Sequence, residues 1–169
     1  MSKENNNVAL EISRLKNLLL IDKPPDFIKQ LPKIVSSLDS NGNGLRDDIE
    51  IYISHRFPLE PGLRASLIQM SKIIERIYTD AKQSSDSRQV TLWIEENAAL
   101  RCFKRNGFNY DDLNYLKSIL LDSDNKRRSY NEVVKYRSSL DPALIFIVKN
   151  DLTSCDSIIF ENQVFIQSF

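Results

Sequence analysis

The chain has 169 residues, 41% of them hydrophobic and 27% charged, with 23 Lys plus Arg balancing 23 Asp plus Glu. This length and composition fit one globular domain with a sizeable core. A net charge of zero speaks against nucleic acid as a partner, and no run of about 20 apolar residues is present to form a transmembrane segment.

Only 4 glycines interrupt the long apolar-periodic runs, so the expected fold is all-α. It comprises a polar tail at 1–7, expected to be disordered, and a single mainly helical domain over 8–169. The N-terminus, M-S-K-E-N-N-N, lacks the apolar core of a signal peptide. That fits either a cytoplasmic protein or a mature chain whose leader has been removed. A first helix is expected at 8–20, where Val8, Ile12, Leu15 and Leu19 share one stripe. Lys23, Pro24 and Pro25 end it. A short turn of helix at 26–30 and a short helix from Pro32 to Leu38 come next.

A loop follows, and a helix leaves it at 48–57 with Ile49, Ile53 and Phe57 in one row. Residues 62–82 carry the cleanest helical repeat in the chain: Leu63, Leu67, Met70, Ile74, Ile77 and Ala81. Such a stripe reads as core. A polar break at 83–87 offers N-cap residues for a helix at 87–105, with Val90, Ile94, Ala98 and Cys102 inward. Gly107 is placed to end it. Asn109 or Asp111 caps a helix at 111–121 with Leu113, Leu116 and Leu120 inward. A helix at 126–139 follows, with Tyr130, Val133, Val134 and Leu140 as its apolar set. Asp141-Pro142 either breaks it or starts a new turn. The apolar run 143–148 suits a buried segment, and the β-prone tail, 157–169, suits a small hairpin.

The loop carries the most specific signal. In the twelve residues 39–50, D-S-N-G-N-G-L-R-D-D-I-E, oxygen-bearing side chains stand at positions 1 (Asp39), 3 (Asn41), 5 (Asn43), 9 (Asp47) and 12 (Glu50). Position 6 is Gly44. This is the EF-hand calcium-loop pattern, and flanking helices place it in an EF-hand-like helix-loop-helix unit at 32–57. Ca2+ takes six to eight oxygens. Asp39, Asn41 and Asn43 would supply one side-chain oxygen each. Leu45 would supply its backbone carbonyl, Asp47 an oxygen directly or through water, and Glu50 two. Three carboxylates and two amides suggest a dissociation constant of about 10⁻⁵ to 10⁻³ M. The competing reading is a structural turn, since Asn-Gly-Asn-Gly is itself a turn signal.

Position 8, where a paired loop has an apolar residue, is Arg46. No sister loop exists: residues 122–126 have Lys126 at a ligand position, and residues 151–162 have Asp156 and Asn162 where glycine and glutamate belong. A lone loop reads as a structural clamp between the helices carrying Leu38 and Ile49, and less as a sensor. Cys102 and Cys155 form no metal pattern. Spacing alone leaves two buried thiols and a disulfide closing about 53 residues equally open.

The segment N-G-N-G-L-R-D-D-I-E-I-Y-I, at 41–53, resembles the N-G-V-R-D-D-V-E segment of a group of poorly characterised exported bacterial proteins. That group continues with a cysteine in a mid-chain helix, an Asn/Arg/Tyr segment and a late Cys-Asp. Here Cys102, then Asn125, Arg128 and Tyr130, then Cys155-Asp156 correspond, so the resemblance covers 39–156. It implies export to the periplasm or medium and a Cys102–Cys155 bond. It implies no activity.

Other chemistry is sparse. His55 is the single histidine, which leaves no histidine-rich zinc site and reads as a structural residue. Glu95-Glu96 and Asp111-Asp112 point apart on helices and read as exposed faces and caps. Lys104-Arg105 and Lys126-Arg127-Arg128 read as a solvated basic face. The expected function is therefore a helical calcium-binding protein, leaning away from an enzyme, with a protein partner unspecified. The alternatives are an enzyme with structural calcium and a calcium-free helical interaction module.

Overall fold

The computed structural model describes residues 38–157 and 159, apart from 41, 81–84 and 108. The polar tail, the helix expected at 8–20, the turn at 26–30 and most of the one at 32–38 lie outside the described residues. Leu38, the described end of the last of these, is not helical. The described chain is helical, in the order α1 (Asp47–Arg56), α2 (Pro61–Asp80), α3 (Asp86–Arg105), α4 (Tyr110–Leu120), α5 (Asp124–Arg137) and α6 (Pro142–Asn150). Among the described residues, no helix is long and apolar enough to cross a membrane.

The helix starts follow local side-chain chemistry. The first amides of a helix have no partner within it. Ser85 accepts from Arg88 N, Asn109 from Asp111 N, Ser123 from Lys126 N and Asp141 from Ala143 N. Asp141-Pro142 therefore starts α6, with proline at the first helical position. Beyond Asn106, the C-cap of α3, Gly107 takes φ +107°. Arg64 closes the α1–α2 turn by donating Nη1 to the carbonyls of Phe57 and Pro58 at 2.8 and 2.7 Å.

α2 is the central helix, touching α1, α3, α4 and α5, while α6 rests on α3. Ala81 lies outside the described residues; over the described positions its stripe is buried as expected: Leu67, Ile74 and Ile77 are fully enclosed, and Leu63 and Met70 nearly so. Each such side chain contributes about 1.5–3 kcal/mol by leaving water. α4 adds Leu113, Leu116 and Leu120, and α5 adds Tyr130 and Val133, to one apolar cluster that also includes Leu45, Ile49, Ile53 and Phe57.

Four expectations need correction. The inward row of α3 is Leu92, Ala99 and Phe103 with Cys102, so Val90 and Ile94 are only half-buried. Ala98 and Cys102 are buried as expected, while Ile94 lines a groove together with residues 153–157. On α5, Val134 is 46% exposed, while Arg137 is buried in its place. The apolar run 143–148 is not a buried segment. Of its side chains only Val148 is enclosed, because α6 has one main helix neighbour, α3. Finally, Ser157 and Ile159 have helical backbone where the first hairpin strand was expected. Asp156 caps this turn by accepting from Ile159 N at 3.0 Å. The rest of the predicted hairpin lies outside the described residues.

Candidate metal centre

The loop at the head of α1 folds around one carboxylate. Asp39 Oδ1 accepts from Gly42 N at 2.8 Å and Asn43 N at 3.2 Å, and its Oδ2 accepts from Gly44 N at 2.9 Å. Three consecutive amides can turn toward one side chain because Gly42 and Gly44 adopt φ +70° and +78°. Those values suit glycine, which has no Cβ to clash. Asn43 Oδ1 accepts from Leu45 N at 2.8 Å, a second Asx-type turn. The neck closes where Asp47 N donates to the Leu38 carbonyl at 2.8 Å.

The remaining predicted ligands sit on this frame. Asp47 accepts from Ser40 N at 2.8 Å and Ser40 Oγ at 2.6 Å. Glu50, 3% exposed, accepts from Asn43 Nδ2. The Leu45 side chain is in the core, which fixes the backbone at position 7. Asp39, Asn43, Leu45, Asp47 and Glu50 thus belong to one closed loop; Asn41 lies outside the described residues. Among the described residues, no three His, Cys, Asp or Glu side chains gather as a metal-holding cluster. The loop carboxylates here accept hydrogen bonds from the loop itself.

Arg46 is buried, with Nη1 3.4 Å from the Leu120 carbonyl and Nη2 3.2 Å from Asp122. It also forks onto Asp48, with Nε at 3.0 Å and Nη2 at 2.6 Å. The Arg46 side chain thereby ties the loop to the end of α4. From α2, Lys72 Nζ donates to the Asn43 carbonyl at 3.3 Å. Glu75, also on α2, is held above the usual carboxylate range chiefly by burial, with Asp48 and Asp39 adding to the effect and Arg46 and Lys126 opposing it.

Cys102 and Cys155 are joined, with sulfurs 2.16 Å apart. The segment that Cys155 anchors has two further fastenings. Gln69 donates Nε2 to the Ser154 carbonyl at 3.1 Å and accepts from Asp156 N at 2.9 Å. Arg101 donates Nε to the Thr153 carbonyl at 2.6 Å. His55 is exposed and lines a cleft with Tyr52 and Tyr115.

Of the acidic pairs, Asp111 is exposed in the first turn of α4 as expected, whereas Glu96 and Asp112 are drawn into contacts between helices. Glu96 accepts from Tyr130 Oη at 2.6 Å and pairs with Arg137. Arg137 stacks over Trp93, with its guanidinium carbon 5.6 Å from the ring centroid, and among the described residues its buried Nε and Nη2 have no hydrogen-bond partner. Burial and Glu96 raise the Tyr130 hydroxyl far above its ordinary pKa. Asp112 is buried as well, and takes Tyr52 Oη at 3.2 Å and Arg56 Nε at 3.0 Å on one oxygen. Of the basic residues, Lys126 pairs with Asp122 at 3.0 Å and Arg127 with Asp124 at 2.6 Å. No family model, curated protein or solved structure matches this chain.

Proposed function

We propose that this is a helical calcium-binding protein whose loop at 39–50 clamps the chain around Leu38 to α1. The observation that carries this reading is the wrapping of Gly42, Asn43 and Gly44 amides onto Asp39. It shapes the backbone into a tight ring with Glu50 at its closing end, where a bidentate carboxylate is needed. Ca2+ would take oxygens of Asp39, Asn41, Asn43, the Leu45 carbonyl, Asp47 and Glu50. For that, Asn43 must turn its Oδ1 inward and release Glu50. Mg2+ suits the loop less, because it demands a smaller and stricter octahedron. The ion braces the fold, and an unidentified protein partner is compatible with this role. Export to an oxidising compartment is supported by the Cys102–Cys155 pair, since disulfides persist there.

Calorimetric titration with Ca2+ and with Mg2+, alongside thermal melting, tests the reading. Ca2+ should bind with a dissociation constant of about 10⁻⁵ to 10⁻³ M. At about 100 times that constant it should add about 2.7 kcal/mol of stability. Glu50→Gln should remove most of the heat. No heat and no rise in melting temperature with Ca2+ would overturn the proposal.

A further inference from the structure

α1 and α4 form a second candidate site that owes nothing to the calcium reading. An open cleft of about 470 Å³ is lined by Ile51, Tyr52, His55, Arg56 and Tyr115, with room for a small molecule held on one side and facing solvent on the other. The rings of Tyr52 and Tyr115 stand 4.8 Å apart, tilted by 53°. Tyr115 is 55% exposed, whereas Tyr52 packs against the core. One wall is therefore firmly seated and the other faces the solvent.

Asp112 organises the polar end. Its Oδ1 accepts from both Tyr52 Oη and Arg56 Nε, so one buried oxygen holds the two side chains together. The Asp112 side chain is 10% exposed, while that of Arg56 is 55% exposed. The Asp112 charge is covered and the guanidinium is the exposed member of the pair; its carbon lies 5.3 Å from the Phe57 ring centroid, and the exposed Glu60 carboxylate also bears on it. A guanidinium carries five N–H donors in a planar fork. Holding it by Nε leaves its Nη edge for an oxyanion, in the geometry that suits carboxylates. His55, the residue just before Arg56, adds a further polar group to the lining.

We propose that this cleft binds a small aromatic carboxylate. Its ring would lie against Ile51, Tyr52 and Tyr115, and its carboxylate would meet Arg56. An aromatic cation fits the rings but meets repulsion from Arg56, which is how the site discriminates.

The test uses the full chain and benzoate, followed by NMR shifts of backbone amides and tyrosine rings, with benzyltrimethylammonium and cyclohexanecarboxylate as comparisons. Benzoate should give saturable shifts at Tyr52, Arg56 and Tyr115 and bind more tightly than either comparison. Arg56→Gln should weaken it by about tenfold or more, as expected for a lost charged hydrogen bond. Tyr115→Ala, at a half-exposed position where folding is not at stake, should weaken it by about threefold or more, the scale of one aromatic contact. The proposal falls if benzoate produces no saturable shift, if benzyltrimethylammonium binds more tightly, or if benzoate affinity is unchanged in Tyr115→Ala or in a folded Arg56→Gln.

Discussion

Arg46 donates to the carbonyl of Leu120 at 3.4 Å, across 74 residues of sequence. The contact joins the candidate metal loop to the C-terminal end of α4, with Asp48 and Asp122 completing the charge. In a paired calcium loop an apolar residue would here meet a sister loop. In this chain a guanidinium meets a helix end, where carbonyls with no partner within the helix favour a cation. The loop is thus anchored to the helical body by electrostatics as well as by Leu45.

Removing that anchor should be costly. The Arg46 side chain is 7% exposed and its partners Asp48 and Asp122 only 18% and 25%. Breaking a buried charge cluster from one side destabilises by about 3–5 kcal/mol, and partial solvation of the carboxylates puts Arg46→Ala near the lower end. Arg46→Lys should recover only part of this, because an ammonium cannot fork across Asp48 while reaching Leu120. Urea denaturation of the two variants measures both effects.

The Glu96–Arg137 pair should show strong non-additivity. Arg137 is 5% exposed and Glu96 15%. Glu96→Ala leaves the guanidinium uncompensated and should cost about 3–5 kcal/mol. Glu96→Leu combined with Arg137→Met should cost less than either single change, since no orphan charge remains. A double-mutant cycle read by chemical denaturation decides; additive losses would contradict the paired arrangement.

Glu75 should make stability depend on pH in the direction opposite to a salt-bridged carboxylate. Burial raises its folded pKa above the ordinary value of 4.5. Its contribution is therefore fully present below that value and is lost as pH rises through the folded pKa. Glu75→Gln should raise the melting temperature at neutral pH, with the gain shrinking as pH falls toward 4. An equal shift at all pH values would show that burial of the charge is not the cause.

The paired cysteines should resist alkylation in the absence of reductant, leaving the mass of the denatured chain unchanged. Replacing both by alanine should lower stability by about 2–4 kcal/mol. Mass spectrometry and denaturation of the double variant check these outcomes in turn; two modified thiols would exclude the bond.

Much of the architecture was legible because helices announce themselves locally. The stripe of α2, the caps at Ser85 and Asn109 and the glycine after α3 depend on neighbours in sequence. What was not legible depends on partners far away. Glu96 and Asp112 look like surface carboxylates until Arg137, Tyr130, Tyr52 and Arg56 arrive from other helices. On α3, Ala98 and Cys102 stand inward as their spacing suggests but Val90 and Ile94 do not, because helical periodicity gives an apolar arc and only the packed neighbour selects its centre. Val134 lost its expected place to Arg137, whose aliphatic stem and Glu96 partner make a charged residue suitable for burial. In the loop, the oxygen-bearing side chains and the glycines could be read directly, and Arg46 stood out as an anomaly. Its destination at Leu120 could not be read.

Gln69 gives the molecule one more property. Its side-chain amide both donates to the Ser154 carbonyl and accepts from Asp156 N, in the manner of a neighbouring β-strand. An irregular segment near the end of the chain is thus templated by a residue made 85 positions earlier. Because both amide contacts fall on the residues flanking Cys155, the same side chain that orders the segment also holds Cys155 beside Cys102.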